Sequence, residues 1–257
     1  MELSIQGKIA LVSAASSGLG RASAAALAQE GARVAILSRR EAELEAVAKE
    51  IGAALAVRCD LSKAGDIEAA LERVQSELGP VDILVNNCGG PPGGTFASIS
   101  ETQWIESFEQ VFLSALRLTR GVLPGMRQRK WGRIINIVST SVEQPIPGII
   151  ISNAYRPAIA GWAKTLAAEV ASDGVLVNCV SPGRIRTNRT ATMDRAASEQ
   201  SGKSIEAIEA ERSATVPLQR YGTPAEFGAV VAFLASERAS YLTGSVVRVD
   251  GGLVSSI

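Results

Sequence analysis

Short runs of β-branched and aliphatic residues alternate along the chain with longer stretches whose apolar positions recur at helical spacing. The short runs Lys8–Ser13, Arg33–Leu37, Ala54–Arg58, Asp82–Asn86, Arg133–Val138, Val175–Val180 and Val246–Val249 predict strands. Most are continuously apolar, the pattern of strands covered by helices on both faces. Between them, Ala-rich stretches such as Leu19–Glu30, Glu41–Ile51 and Ile67–Leu78 predict helices. Strands and helices in strict alternation give an α/β fold: a doubly wound, seven-stranded parallel sheet flanked by helices.

Helix starts agree with this phase. Ser100-Glu-Thr-Gln103 and Thr223-Pro224-Ala-Glu226 read as capping boxes, and Pro224 stands at a first helical position where its missing N–H costs nothing. No repeat, linker or composition shift divides residues 1–257, which are read as a single domain. Residues 186–214 are polar, Ala- and Ser-rich and strandless, which predicts a helical lid over a site.

Composition narrows the chemistry. Of 257 residues 46% are hydrophobic and 20% charged, enough for a large core. Lys plus Arg and Asp plus Glu are 26 each, with no basic excess for nucleic acid. The chain has no histidine, which removes the Ser-His-Asp triad, the HExxH zinc site and histidine acid–base catalysis. Cys59, Cys88 and Cys179 lack metal-ligand spacing and read as reduced, buried thiols. No metal site is expected. MELSIQGK has no secretory pattern, and no apolar run reaches the roughly 18 residues that span a bilayer. The expectation is a soluble, cytoplasmic protein without membrane or nucleic-acid partners.

After the first strand comes Ser13-Ala14-Ala15-Ser16-Ser17-Gly18-Leu19-Gly20, then a helix. Such a turn at a strand's carboxyl end can hold a pyrophosphate on free N–H groups and the helix dipole. Together with Cys59-Asp60-Leu61, Asn86-Asn87-Cys88-Gly89, Gly132–Ser139, Ser181–Thr187 and Leu242-Thr-Gly244…Asp250-Gly251-Gly252, this turn carries a family resemblance. The chain resembles the short-chain dehydrogenase/reductases over nearly its whole length, and within them the 3-oxoacyl-carrier-protein-reductase-like branch. The resemblance implies a Rossmann-type domain that binds a nicotinamide dinucleotide. Where the family's phosphate turn has Gly, this chain has Ala14, a substitution that fits if φ is negative there. The second strand ends in Ser38-Arg39-Arg40, with no acidic residue to repel a 2′-phosphate and two cations to bind one. NADP(H) is therefore expected over NAD(H). Ser13, Ser16, Ser17, Gly18, Leu19 and Gly20 complete the expected phosphate turn. By resemblance, Asp60 and Leu61 lie at the adenine, Asn87 and Gly89 at the adenosine ribose, and Pro182, Gly183, Ile185 and Thr187 at the nicotinamide and pyrophosphate.

The family's catalytic groups are Asn, Ser, Tyr and Lys. Ser139 ends the fifth strand where the family's Ser sits. The Tyr and Lys positions that follow hold Ser152 and Arg156, and the Asn position holds Val111. A serine hydroxyl is far less acidic than a phenol (pKa about 10), and Arg stays protonated where Lys can move a proton. Arg156 can still fork two hydrogen bonds onto the nicotinamide ribose, or polarise an oxyanion together with Ser139. Tyr155 is the nearby phenol, roughly 300° around the helix from position 152. It is weighed as a shifted proton donor and, more in keeping with its place, as a core or interface residue.

Three readings follow. The first is an NADP(H)-dependent oxidoreductase acting on a small carbonyl or alcohol through Ser139, Ser152, Arg156 and Tyr155. The second is an inactive NADP(H)-binding pseudoenzyme or regulatory subunit, which loss of Tyr, Lys and Asn together favours. The third is a lyase resembling the halohydrin dehalogenases, favoured by Arg156 but opposed by Ser152 and the Gly18/Gly20 turn. The basic cluster Arg127–Trp131 is read as a solvated helix end before an acyl-carrier dock. The resemblance also implies a homo-oligomer, tetramer or dimer, with Trp104, Phe108, Phe112, Tyr155 and Trp162 as interface aromatics.

Overall fold

In the computed structural model, which describes residues 2–256, every expected strand is present. β1 (Ile9–Val12), β2 (Arg33–Ser38), β3 (Leu55–Arg58), β4 (Ile83–Asn86), β5 (Gly132–Ile137), β6 (Val175–Pro182) and β7 (Val246–Val249) form one sheet. Their order is β3-β2-β1-β4-β5-β6-β7, all parallel. Most strand ends differ from the sequence reading by a residue or two, and β6 runs on to Pro182.

Alternation along each strand splits the core in two. On β1, Leu11 faces a layer built with Ile67, Val74, Leu118, Val122, Ile159 and Ala163. Ala10 and Val12 face the other layer, with Ala24, Leu27, Leu44, Phe227 and Val231. The first layer is supplied by α3 (Ala64–Glu77), α5 (Ser114–Gln128) and α6 (Ile150–Val170). The second comes from α1 (Gly18–Gln29), α2 (Glu41–Ile51) and α9 (Pro224–Ala235), counted in chain order. Each fully buried Leu or Ile contributes about 1.5–3 kcal/mol, so the continuous apolar strands predicted from sequence are explained by burial on both faces.

Both predicted capping boxes form. At α4 (Glu101–Ser107) the Gln103 side chain accepts from Ser100 N at 2.9 Å while Ser100 Oγ accepts from Gln103 N at 3.3 Å. At α9, Glu226 accepts from Thr223 N at 2.7 Å. The chain between α4 and α5, Phe108–Leu113, is a π-helical turn, a form that often marks functional sites. The strandless segment holds two helices, α7 (Asn188–Ser201) and α8 (Ile205–Ala214).

The Arg127–Trp131 cluster is neutralised from within. Arg127 pairs with Asp173 at 2.6 Å, Lys130 pairs with the same carboxylate, and Arg129 donates to Val81 O and Asp82. The two cations hold the Asp173 carboxyl below its ordinary pKa. Among the described residues no helix is long and apolar enough to cross a membrane. No group of three His, Cys, Asp or Glu there could hold a metal ion.

Candidate active site

Strand order reverses between β1 and β4, which opens a crevice at the carboxyl ends of the strands. A cavity of about 620 Å³ lies there, walled by the loops after β1, β2, β4, β5 and β6 and by the start of α7. Its volume is within the range of small-molecule and cofactor sites.

At one end the β1–α1 turn presents Ala14, Ser16, Ser17, Gly18 and Leu19 to the cavity. Ser17 is the N-cap of α1, yet its side chain makes no cap hydrogen bond, and no acidic residue occupies the first turn. The leading amides and the positive end of the helix dipole are thus open to an anion. Gly20 does not line the cavity. A Cβ there would stand 2.4 Å from Ala14 O and 2.7 Å from Asn87 Nδ2, so its role is to let the turn close. Ser13 is also turned away: its hydroxyl donates to Asn87 O at 2.7 Å and accepts from Asn87 N at 2.9 Å. It ties β1 to β4 instead of meeting a ligand.

Ala14 corrects the sequence reading. Its φ is +48°, not negative, so the turn holds an alanine in the left-handed region where the family's usual Gly is unstrained. Its side chain packs against the buried core and its carbonyl accepts from Asn87 Nδ2 at 3.2 Å, which hold the conformation in place.

The end of β2 meets this turn. Ser38 Oγ donates to Ser16 Oγ at 2.9 Å, and one arm of Arg40 donates to Ser16 Oγ and Ser17 Oγ, each at 3.2 Å. Its other arm pairs with Glu43 at 2.7 Å. Arg39 and Asp60 line the same end. Burial raises the Asp60 pKa, but hydrogen bonds from Ser62 and the charge of Arg39 outweigh it and hold the carboxyl below its ordinary value. These residues form a polar, cationic pocket that fits an adenosine 2′-phosphate. Leu61, Asn87, Gly89, Pro182, Gly183, Ile185 and Thr187 all line the cavity. The phosphate-accepting amides, the closed turn and the cation pair together fit a nicotinamide dinucleotide.

At the other end the structure brings together Ser139, Ser152 and Arg156. Ser139 Oγ accepts from Ser141 N at 3.1 Å, which orients the hydroxyl and leaves its proton for a ligand. Arg156 is buried (7% exposed) and donates to Ile137 O at 2.5 Å and to Cys88 Sγ at 3.2 Å. It is thereby fastened to the end of β5, the strand that leads into Ser139. Tyr155 is not with them. Its hydroxyl donates to Trp104 O at 3.1 Å, and its ring packs edge-on against Trp104 and beside Phe108. Burial raises its pKa, the wrong direction for a neutral-pH proton donor.

Sequence reasoning missed several residues on this wall. Val111 is buried, but the π-helical turn brings the adjacent Gln110 to the cavity. Gln144, Cys88, Arg184 and Arg189 also line it. The polar pair Glu109-Gln110 between aromatics was the available signal for the first of these. The Cys59 thiol, although on the wall, is pushed up to about 12 by burial.

Residues 13–254 match a family model described as enoyl-(acyl carrier protein) reductase. The chain belongs to the short-chain dehydrogenase/reductase family. It is therefore an oxidoreductase of that family, of the 3-oxoacyl-carrier-protein-reductase-like branch. It is 36% identical over 252 residues to the 3-oxoacyl-(acyl-carrier-protein) reductase FabG of Escherichia coli, covering 98% of this chain and 99% of that one. It is 36% identical over 250 residues to nodulation protein G of a Rhizobium species, covering 97% and 98%. Among solved structures it is similar to L-sorbose reductase from Gluconobacter frateurii, complexed with NADPH and L-sorbose. That match has a TM-score of 0.94 at 33% identity and covers both chains fully.

Proposed function

We propose that this short-chain dehydrogenase/reductase is an NADP(H)-dependent enzyme that interconverts a carbonyl and an alcohol through a rebuilt active site. The observation that carries this reading is the convergence of Ser139 and the buried Arg156 on the cavity into which the phosphate turn opens. Similarity to L-sorbose reductase and to an actinorhodin polyketide ketoreductase, both solved with NADPH, supports the cofactor, as does Arg40 beside Ser16 and Ser17.

The bound cofactor supplies a hydride. Ser16, Ser17 and the α1 amides hold its pyrophosphate, Arg39 and Arg40 its 2′-phosphate, and Thr187 and Ile185 its nicotinamide end. Ser139 donates a hydrogen bond to the carbonyl oxygen. Arg156 stabilises the oxyanion as its charge develops, within a buried wall where such a contact is stronger than in water. Because guanidinium keeps its protons, Ser152 passes a proton from cavity water to that oxygen. Residues 186–214 close over this site as the lid of a single domain. The aromatic cluster of Trp104, Phe108, Phe112 and Tyr155, with Ile105 and Phe108 exposed at its edge, supplies a face for a homo-oligomer.

The reading is tested by titrating the protein with NADPH and, separately, NADH. Tight NADPH and weak NADH support it; binding of neither removes it. A second reading, an NADP(H)-binding pseudoenzyme, is favoured by one observation: among the described residues no phenol lines the cavity, because Tyr155 faces Trp104. It predicts the same titration with no hydride transfer.

A further inference from the structure

The substrate end of the cavity carries an excess of arginine. Arg156, Arg184, Arg189 and Arg212 line it against one carboxylate, Asp194. Asp194 is buried and already committed, paired with Arg212 and accepting from Tyr221 Oη at 3.1 Å. Among the described residues no carboxylate lies within ion-pair distance of Arg156, Arg184 or Arg189. Arg184 Nε is buried with no acceptor. Taking a guanidinium out of water without a counter-charge is costly, so the buried Arg156 and the Arg184 Nε favour a ligand that brings the anion.

Arg189 is the one placed to meet it. It stands in the first turn of α7 and crosses the cavity mouth, donating to Pro91 O at 3.1 Å and Gly90 O at 3.4 Å. Gly90 makes room for it, since a Cβ there would stand 2.3 Å from the guanidinium carbon. The residue as a whole is exposed, but its head is desolvated by the wall and lies within the field of Arg156; both effects lower its pKa. A carboxylate on Arg189 relieves that repulsion and leaves the Arg156 donors for a neighbouring oxygen of the same ligand. Thr187, two residues earlier, lies against Gly18 of the phosphate turn, its side chain 3.7 Å from the place of a Gly18 Cβ. Arg189 instead lies over the loop after β4, beyond that turn.

We infer that the substrate of the proposed reductase is an oxo acid, with Arg189 binding its carboxylate while Ser139 and Arg156 hold its carbonyl oxygen. This rests on the reductase reading. The chemistry is otherwise unaltered: the carbonyl carbon gains the hydride of NADPH, its oxygen gains a proton, and NADP+ and a hydroxy acid leave. The acid's carboxylate is neither formed nor broken.

The test compares acids with their neutral methyl esters as substrates and as ligands of the enzyme–NADPH complex: acetoacetate with methyl acetoacetate, and 4-oxopentanoate with methyl 4-oxopentanoate. A charge-assisted contact predicts an acid preference in kcat/KM of at least about tenfold for one pair. In Arg189→Gln that preference falls to near unity, mainly through KM, while the dissociation constant for NADPH shifts less than about threefold. Esters reduced as well as acids would overturn the inference and leave the reductase reading standing. Loss of NADPH affinity in Arg189→Gln equal to the loss of acid affinity would reassign Arg189 to the cofactor's phosphates. Failure of both acids and esters to bind or react overturns the inference; NADPH binding without turnover of any carbonyl compound would overturn the reductase reading itself.

Discussion

Arg156 donates to the carbonyl of Ile137 at 2.5 Å, so this buried cation is anchored to the strand leading into Ser139. Its position is fixed by backbone, not by a carboxylate. The guanidinium is left with donors for the cavity, in an orientation that does not depend on a mobile partner. This arrangement predicts that Arg156→Ala and Ser139→Ala each lower kcat for carbonyl reduction by about 10²–10³-fold, the scale of losing one oxyanion donor. Steady-state kinetics at saturating NADPH check it. Equal rates for wild type and both variants would remove these residues from the chemistry.

Arg40 bridges the end of β2 to Ser16 and Ser17. Arg40→Ala is expected to weaken NADPH binding about 10–100-fold, as for loss of a hydrogen bond to a charged group of about 1.5–3 kcal/mol. NADH, which lacks the 2′-phosphate, is expected to bind the variant and the wild type alike. Calorimetric titration reads both.

Ala14 is held at φ +48°. The left-handed region costs a non-glycine residue about 1–2 kcal/mol, against about 0.4–1 kcal/mol lost when glycine loosens the unfolded chain. Ala14→Gly is therefore expected to raise stability by about 0.5–1 kcal/mol in urea unfolding, without weakening NADPH. A less stable variant would show that the contacts of the Ala14 methyl outweigh the strain.

Tyr155 donates to Trp104 O and stays outside the cavity. Tyr155→Phe is expected to leave kcat within about twofold and to cost about 0.5–1.5 kcal/mol of stability. The pH dependence has a definite sign. Burial raises the pKa of Tyr155, and burial with the Asp194 charge raises that of Tyr221, above the ordinary 10.0. Each contributes stability that is present below about pH 10 and lost as pH rises through the folded value. The urea midpoint should fall above pH 10 in the wild type, and fall less steeply in Tyr155→Phe. A kcat that collapses in Tyr155→Phe would make this phenol the proton donor after all.

The fold was legible because its signal is repeated. Most strands are apolar runs buried on both faces, with the edge strand β7 the more exposed exception, and α2, with Leu44 and Val47 inward, begins and ends where its periodicity does. The cofactor end was legible because its residues follow one another in short motifs. Three features of the site were not, each for a physical reason. The conformation of Ala14 is imposed by the turn around it, so a side chain that tolerates left-handed backbone poorly gave no hint of φ. A π-helical turn adds a residue to the helical register, which buried Val111 and brought Gln110 to the wall. Arg189 meets Gly90 across 99 positions of sequence, a contact that only the returning lid creates.

The central claim is that this site, built on Ser139, Ser152 and Arg156, delivers a hydride to a carbonyl. It is tested most directly by a single-turnover experiment. The protein is saturated with NADPH bearing deuterium at the transferable position, mixed with acetoacetate and 4-oxopentanoate in turn, and the products are examined by mass spectrometry. The account predicts a hydroxy acid one deuterium heavier and matching loss of NADPH fluorescence, both slowed by about 10²–10³-fold in Arg156→Ala. Bound NADPH that keeps its deuterium with these and with their neutral esters would contradict it and leave a nucleotide-binding protein without the reaction.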